Sequence, residues 1–218
     1  MSPAAKSEPQ RGRFITLEGG EGTGKSTLAR GLADALRGDG REIIVTREPG
    51  GAPGADAIRA LLVQGDAGRW SATEEALLFA AARLNHLTHT IKPALSRGAW
   101  VVCDRYYDST RAYQVAAGGL APATLETLNA LIEAPAPDLT LVLDIDPAAG
   151  LARSRGAHVG EDRFERKDAD FHARVRAEFL AIAAREPLRC KRIDASQPVA
   201  EVLSQALAAV GALTSVRQ

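Results

Sequence analysis

The stretch FITLEGGEGTGKSTLARGLADALRGDG, residues 14–40, passes from an apolar β-type run through a glycine cluster into a segment with helical periodicity. Within it, GGEGTGKS at residues 19–26 matches the pattern G-x-x-x-x-G-K-[ST]. Glycines allow backbone N–H groups to point inward around an anion, and the helix that begins near Lys25 adds the positive end of its dipole. The stretch therefore predicts a phosphate-binding loop for a nucleoside triphosphate.

The polar side chains of this loop have expected roles. Lys25 is expected to reach the β- and γ-phosphates of ATP, and the Ser26 hydroxyl is expected to ligate Mg²⁺. The predicted nucleotide-binding residues are Gly19, Gly20, Glu21, Gly22, Thr23, Gly24, Lys25, Ser26 and Thr27. A glycine-rich turn capped by Ser26 is the alternative, and the strand and helix on either side disfavour it. The motif does not separate a kinase from a GTPase, a motor or a non-catalytic ATPase.

Outward from the loop, five short apolar runs alternate with longer segments of helical periodicity. The runs cover residues 14–18, 42–46, 99–103, 139–145 and 190–195. Such alternation predicts a parallel sheet covered by helices on both faces. Ligands of these sheets bind at the carboxyl ends of the strands, and charged or glycine-rich residues follow four of the five runs there.

Composition narrows the class of protein. A chain of 218 residues with 45% hydrophobic residues can bury a full core as one domain with a lid. We predict a disordered tail over residues 1–12 and a single domain over 13–218. The 27 basic and 27 acidic residues balance, so no net field favours a nucleic acid or membrane partner. Cys103 and Cys190 are interpreted as reduced packing residues of a cytoplasmic protein.

Arginines near the strand ends point to a second anionic substrate. Arg47, Arg83 and Arg105 come from three different segments, and a guanidinium fork suits a phosphate group other than the triphosphate held by the loop. The run at 139–145 is not followed by the N-K-x-D sequence that a GTPase would need. We therefore expect a kinase with a phosphorylated acceptor.

Three aspartates are candidates for a metal-binding role. Asp104 ends the apolar run at 99–103, where a Mg²⁺ carboxylate belongs in this architecture, and we assign it that role. Asp144 and Asp146 are competing candidates. Asp146 precedes a proline, however, and is expected to cap a helix.

Together, the segments GGEGTGKST, TREPGG, LLFAAAR, DRYYDSTRAYQ and DRFE resemble those of the bacterial thymidylate kinases, over residues 14 to about 195. The resemblance implies transfer of a phosphoryl group from ATP to dTMP, giving ADP and dTDP. It also implies a three-layer α/β/α sandwich of the P-loop kinase type with a five-stranded parallel sheet, and a homodimer.

The resemblance also implies roles for residues that would hold dTMP. Arg47 and Arg105 would bind its phosphate, and Glu48 would lie near the sugar. Phe79 would stack on thymine and Arg83 would hydrogen-bond the base; the two are four residues apart, so they share a helix face, although Phe79 could instead be a core residue. The segment containing Ser109, Tyr113 and Gln114 would contact the base and crowd the 2′ position of the sugar.

The segment at about 151–168 is the candidate lid, and a solvated basic loop is the alternative interpretation. Its arginines Arg153, Arg155 and Arg163 would neutralise charge on the transferred group. Glu21 stands where eukaryotic relatives have an arginine, so by resemblance the lid supplies the catalytic arginine and Glu21 orients it. The predicted catalytic residues are Lys25, Arg105, Arg153, Arg155 and Glu21.

The lid departs from the commoner bacterial spacing R-x-x-x-R-G-x-x-D-R. Either Arg153 or Arg155 could therefore reach the γ-phosphate, with Arg153 slightly favoured. A kinase for another nucleoside or nucleoside monophosphate is the alternative enzyme, and a non-enzymatic ATP-binding protein is the alternative from another class. The retained Lys25, Ser26 and Asp104 argue against the latter.

Overall fold

The central feature is a parallel sheet of five strands, seen in a computed structural model that describes residues 11–154 and 163–215. The strands lie in the order β2-β3-β1-β4-β5. They are β1 (Phe14–Glu18), β2 (Ile43–Arg47), β3 (Trp100–Asp104), β4 (Leu139–Asp144) and β5 (Cys190–Asp194). The strand that precedes the glycine loop is thus the middle one, so the loop lies at the centre of the sheet's carboxyl edge.

Helices fill the connections between the strands. They are α1 (Lys25–Gly38), α2 (Pro53–Val63), α3 (Ala72–His86), α4 (Lys92–Ser96), α5 (Tyr107–Thr110), α6 (Pro122–Leu131), α7 (Pro147–Ser154), α8 (Ala169–Arg185) and α9 (Val199–Ser215). Two π-helical segments, Leu87–Ile91 and Arg111–Ala117, continue α3 and α5. The start of α3 is fixed by a capping box, in which Ser71 and Glu74 satisfy each other's backbone N–H groups.

Both faces of the sheet are covered. On one face, Ile15 and Leu17 of β1 pack in a core cluster with Leu32 of α1 and Ala206 of α9. On the other face, Phe14 lies in a second cluster with Leu87 and Ile91. Strands buried on both sides explain why the apolar runs are continuous rather than alternating. The predicted three-layer α/β/α sandwich with a five-stranded parallel sheet is confirmed.

Four of the five strands differ from their predicted runs by one residue, whereas β1 matches its run at 14–18. The strands predicted at 42–46 and 99–103 each begin and end one residue later, because the ladder between β2 and β3 extends to the pair Arg47 and Asp104. The runs predicted at 139–145 and 190–195 each end one residue earlier, at the pair of Asp144 and Asp194. Polar side chains of four strands therefore lie along one edge.

The predicted tail and cysteines can be compared with the structure in part. Residues 1–10 lie outside the described residues, but Gly12 is buried and its N–H donates to the Leu95 carbonyl at 3.0 Å. Cys103 and Cys190 are buried free thiols. Burial raises the pKa of Cys190 to about 12 and that of Cys103 well above its ordinary value, which fits packing residues. Over residues 11–154 and 163–215, no helix combines the length and apolarity needed to cross a bilayer.

Candidate active site

A cleft of about 940 Å³ runs along the carboxyl edge of the sheet. The glycine loop and the start of α1 line one end of it. Phe79 and Gln114 line the other end, and Asp104 and Arg105 also contribute to its wall. We call these the loop end and the base end. One continuous space thus joins the predicted triphosphate loop to the predicted acceptor site.

Two positions of the loop require glycine, because at each of them a side chain would clash with the backbone of a different neighbour. Gly19 has φ +138°, and a Cβ there would lie 2.4 Å from the Leu143 carbonyl oxygen. Gly22 has φ +64°, and a Cβ there would lie 1.8 Å from the carbonyl oxygen of Gly150 on α7. The loop is therefore packed backbone to backbone against β4 and α7, which fixes its curvature.

Lys25 lies over the centre of the loop. Its Nζ donates to the Gly20 carbonyl at 2.7 Å, and to the Gly19 carbonyl and Thr23 Oγ1 at 3.2 Å each. Burial, with a smaller effect from the nearby Arg105, lowers the pKa of Lys25 to about 8. An ammonium held at a glycine loop in this way is placed to donate hydrogen bonds to phosphate oxygens.

Ser26 and Asp104 form the candidate metal site. The Ser26 Oγ donates to Asp104 Oδ2 at 2.6 Å, because the pairing of β1 with β3 brings the end of β3 beside the first turn of α1. A hydroxyl and a carboxylate are the oxygen ligands that Mg²⁺ accepts alongside water and phosphate oxygens. Among the described residues no cluster of three or more His, Cys, Asp or Glu could hold a metal alone. The residues therefore fit a magnesium ion bound largely through its nucleotide.

The two competing aspartates have other partners. Asp144 accepts hydrogen bonds from Arg176 at 2.6 Å and from Arg192 at 2.6 Å, and these contacts lower its pKa despite the opposing effect of partial burial. Asp146 Oδ1 accepts from the N–H groups of Ala148 and Ala149 at the start of α7. Asp146 is thus the helix cap that the sequence predicts. Of the three aspartates, Asp104 is the one that lines the cleft.

Arg105 links the loop to the segment after β3. Its φ of +69° is unusual for a residue with a side chain and is typical of strained functional positions. Its Nη1 donates to the Gly19 carbonyl at 3.0 Å and to Ser109 Oγ at 3.2 Å, and its Nη2 donates to Glu21 Oε1 at 2.9 Å. The guanidinium is therefore fixed in the wall of the cleft between the two ends.

Glu21 contacts Arg105 and Tyr113, whose hydroxyl donates to Glu21 Oε1 at 2.8 Å. Burial alone would raise the pKa of Glu21, but the charges of Arg105 and Lys25 outweigh it and lower that pKa to about 2.

Arg153 lines another part of the cleft, where its Nη1 donates to the Ala195 carbonyl at 3.0 Å. Arg155 lies outside the described residues, so a catalytic role for either lid arginine stays a prediction.

Arg163 does not lie in an open loop. Its side chain is fully buried, and it donates to Glu75 and to the carbonyls of Leu62, Asp66 and Ala67. The guanidinium therefore joins the end of the predicted lid to α2, the turn after it and α3. Burial excludes the alternative of a solvated loop for Arg163, because these carbonyls and one carboxylate desolvate it completely. The role of Arg163 as a lid arginine stays a prediction.

At the base end, Arg83 and Glu48 form a buried ion pair. Arg83 Nε donates to Glu48 Oε2 at 2.8 Å and its Nη2 donates to Thr110 Oγ1 at 3.2 Å. Glu48 Oε1 lies 3.2 Å from His86 Nδ1. Phe79 is half-buried with its ring 6.3 Å from that of Phe164. Arg83, Glu48 and Phe79 all line the cleft, and so does the exposed Arg47.

Tyr113 and Gln114 complete this end. The Tyr113 ring is buried 5.7 Å from Phe164 and 6.0 Å from Phe171, both in edge-on contact. The Nε2 of Gln114 donates to Glu75 Oε2 at 2.7 Å. The Oε1 of Gln114 is buried and has no hydrogen-bond partner within the described part of the chain. An unpaired buried acceptor in a cleft wall indicates a ligand that brings a donor.

Glu18 is a site residue that sequence reasoning missed. Its Oε1 accepts from the Tyr106 N–H at 2.8 Å and its Oε2 accepts from Ser109 Oγ at 2.5 Å. Burial, with help from the nearby Asp108, raises the pKa of Glu18 to about 8. Glu18 thereby fixes the turn that carries Arg105. A carboxylate at the end of a strand that is otherwise apolar except for Thr16, directly before the glycines, was the available signal.

Comparison with known proteins gives consistent matches. The sequence model described as thymidylate kinase matches residues 17–206. A thymidylate kinase of Rhizorhabdus wittichii is 50% identical over 204 residues, covering 93% of this chain and 98% of the relative. One of Caulobacter vibrioides is 56% identical over 189 residues, covering 85% and 89%. The crystal structure of thymidylate kinase from Ehrlichia chaffeensis superposes with a TM-score of 0.74 at 30% identity, covering 93% of this chain and 99% of that one.

Proposed function

The chain belongs to the thymidylate kinase family, whose members phosphorylate dTMP to dTDP, and from that premise we propose how its cleft is divided between the substrates. ATP with Mg²⁺ occupies the loop end, and dTMP occupies the base end. The observation that carries this division is the single 940 Å³ cleft with a phosphate-type loop at one end and the unpaired Gln114 oxygen at the other.

At the loop end, the backbone N–H groups and Lys25 would bind the β- and γ-phosphates. Ser26 and Asp104 would hold Mg²⁺, which when bound neutralises charge on the phosphate oxygens. Phosphoryl transfer leaves little covalent work for a protein, so the contribution of these groups is positioning and charge neutralisation. No side chain is required as a general base.

At the base end, Arg47 and Arg105 would hold the phosphate of dTMP close to the loop. Arg105 is suited to this because its contacts with Gly19 and Ser109 fix its position relative to both substrates. Phe79 would stack on thymine, and the buried Tyr113 ring would crowd the 2′ position of the sugar. Arg83 supports this wall through its ion pair with Glu48, and its remaining N–H groups would donate hydrogen bonds to the base.

We propose that the chain forms a homodimer through α3 and α6, which contact each other. Leu77 and Leu84 are seven residues apart on α3 and are 52% and 45% exposed, and Leu131 on α6 is 77% exposed. Exposed leucines that share one region favour burial against a second copy. Light scattering during gel filtration would test this, with Leu84→Glu expected to shift a dimer to a monomer; a monomeric wild type would contradict it.

The cytoplasmic location predicted from the sequence remains a proposal. Its support is the pair of buried free thiols, Cys103 and Cys190, which is the state expected of cysteines in a reducing compartment.

A coupled assay of ADP release with a panel of nucleoside monophosphates tests the proposed activity. We expect turnover with dTMP to exceed that with dUMP, dCMP, dGMP and AMP, and to require Mg²⁺. Equal rates with every monophosphate would contradict the proposed base end. Absence of ADP release with all of them would contradict the phosphotransferase assignment itself.

A further inference from the structure

Glu75 connects Gln114 to Arg163 in a buried chain of polar groups. One carboxylate oxygen of Glu75, Oε2, accepts from the Gln114 amide at 2.7 Å, and the other, Oε1, accepts from Arg163. Gln114 is 1% exposed, Glu75 is 6% exposed and Arg163 is fully buried. The three side chains come from the π-helical segment, α3 and the stretch before α8. Their polar groups therefore depend on one another rather than on bulk water.

The chain of contacts determines which way the Gln114 amide faces. A carboxylate paired with a buried guanidinium offers only acceptors, so the amide must turn its NH₂ group toward Glu75. The amide oxygen is then directed elsewhere, and it is the atom that lacks a partner among the described residues. Gln114 lines the cleft at the base end. Because Gln114 is a lining residue whose NH₂ group is engaged by Glu75, the group that its amide keeps available to a ligand is an acceptor rather than a donor.

We propose that Glu75, held by Arg163, is a positioning residue that determines base specificity by keeping the oxygen of the Gln114 amide toward the base. This inference rests on the proposed binding of dTMP at the base end. Thymine carries an N–H donor at N3, which suits an oxygen acceptor. The unprotonated N3 of cytosine is an acceptor, so two acceptors would face each other, a mismatch that sites built for hydrogen bonding reject strongly.

The substitution Glu75→Gln should reverse this preference. Arg163 still requires an acceptor, so the oxygen of the new amide faces Arg163 and its NH₂ group faces Gln114. Gln114 must then turn its own oxygen toward position 75 and its NH₂ group toward the base. The cleft would now offer a donor to the base, which suits N3 of cytosine.

The experiment compares kcat/KM for dTMP with kcat/KM for 5-methyl-dCMP, which keeps the thymine methyl group and changes only the hydrogen-bonding edge. In E75Q we expect the ratio to fall by about tenfold or more, with a gain in absolute kcat/KM for 5-methyl-dCMP. The matched control is Glu74→Gln, one residue earlier on α3, where the side chain contacts Ser71 instead. Its ratio should equal that of the wild type.

A merely structural role for Glu75 would lower activity with both nucleotides and leave their ratio unchanged.

If E75Q fails to fold, because it leaves the Arg163 charge buried without a carboxylate, the double variant E75Q/R163M removes that charge as well. There the new amide at position 75 loses the partner that orients it, and the ratio should again fall. Absence of dTMP phosphorylation by the wild type would overturn the proposed function along with this inference. A dTMP-selective wild type whose ratio survives in a folded E75Q or E75Q/R163M would overturn this inference alone.

Discussion

The loop end and the base end of the cleft are built by different means. The loop end is a run of consecutive residues, 19–27, whose phosphate-binding groups are backbone N–H groups, one lysine and one hydroxyl. The base end is assembled from side chains of four separate segments. Those side chains are fixed by the buried ion pairs Glu48–Arg83 and Glu75–Arg163.

This difference predicts different responses to substitution. At the loop end, the chain's own curvature places the groups, so removing one side chain should remove one function and leave the rest of the cleft intact. At the base end, Arg83 and Gln114 each depend on a buried carboxylate partner. Breaking a buried pair leaves an uncompensated charge, which costs about 3–5 kcal/mol. Binding and stability should therefore be coupled at the base end and separable at the loop end.

The largest effect is expected for Lys25→Ala. Loss of the ammonium that neutralises the transferred group should lower kcat by about 10²–10³ or more, by analogy with removal of one preorganised donor. The melting temperature should change little, because the variant loses the hydrogen bonds of Lys25 to the loop but also loses an ammonium whose burial is itself unfavourable. Rates of dTDP formation and thermal unfolding are measured together.

Lys191→Ala is the matched control for this prediction. Lys191 is a lysine of β5 whose Nζ donates to the Pro187 carbonyl at 2.6 Å, away from the cleft lining. Its turnover should equal that of the wild type. A K25A enzyme within about tenfold of wild-type kcat would show that the loop end does not carry the transfer.

Arg105→Ala tests the residue that belongs to both ends. Loss of a charge-assisted contact with the dTMP phosphate should cost about 1.5–3 kcal/mol, or about tenfold to more than a hundredfold in affinity. The same guanidinium donates to the Gly19 carbonyl, so its loss should also weaken the support of the loop and lower ATP affinity, by about two- to tenfold because the contact with ATP is indirect. Calorimetric titration of each nucleotide separately measures both.

Arg97→Ala provides the comparison, because Arg97 is exposed and pairs with Glu42 outside the cleft. Neither affinity should change in that variant. A loss of ATP affinity with unchanged dTMP affinity in R105A would place Arg105 at the loop end alone and would contradict its proposed contact with the dTMP phosphate.

The two ends also differ in how far the sequence could predict them. The loop residues are contiguous, so motif and strand-helix context together identified them, and the pairing of Ser26 with Asp104 followed from the rule that strand ends meet at one edge. Glu75 and Arg163 are 88 positions apart. In a chain with 27 residues of each charge sign, no local pattern marks which carboxylate meets which guanidinium. Arg163 was therefore predicted only as a lid arginine, and its burial against Glu75 was not foreseen.

Glu18 shows the same limit at shorter range. Its place directly before the glycines could be seen in the sequence, but its partners Tyr106 and Ser109 lie about ninety positions away. Its burial follows from the pairing of β1 with β3 and β4, which composition and periodicity do not specify. The fold and the loop end were thus predictable from local rules, whereas the buried charge pairs required the tertiary structure.

The pH dependence should distinguish two groups that titrate in the same range. Lys25 has a pKa lowered to about 8 by burial and Arg105, so it loses its proton as pH rises through that value. The kcat/KM for ATP at saturating dTMP, which reports the enzyme before ATP binds, should therefore fall above about pH 8, approaching about tenfold per pH unit. Glu18, with a pKa raised to about 8 by burial and Asp108, becomes charged over the same interval.

Glu18→Gln separates these assignments. If Lys25 causes the fall, the descending limb above about pH 8 remains in E18Q at an unchanged or slightly shifted position. Disappearance of that limb in E18Q would assign it to Glu18 and would mean that the carboxylate before the loop, rather than the lysine within it, limits activity at high pH. The profile is measured at saturating dTMP with ATP varied below its KM.

The smallest effect is expected for Arg153→Ala, which tests whether the wall after β5 belongs to the loop end of the cleft. Arg153 donates to the Ala195 carbonyl at 3.0 Å and lies beside Ser196, Gln197 and Pro198, which also line the cleft. From this contact we expect Arg153 to stabilise the wall after β5, which is the alternative to the catalytic role predicted from the sequence. Its removal should raise the KM for ATP about two- to tenfold, as for one lost hydrogen bond, and leave kcat nearly unchanged.

A catalytic arginine would show the opposite pattern, because an interaction made only in the transition state lowers kcat, by about 10³–10⁵ for comparable arginines. Steady-state kinetics of R153A at saturating dTMP, with Arg174→Ala on α8 as a control outside the cleft lining, therefore decides whether Arg153 is part of the nucleotide wall or carries the transfer. A thousandfold loss of kcat, on the order of that range, would assign Arg153 the catalytic role predicted from the sequence, and its hydrogen bond to Ala195 would then have to break each time the γ-phosphate is transferred.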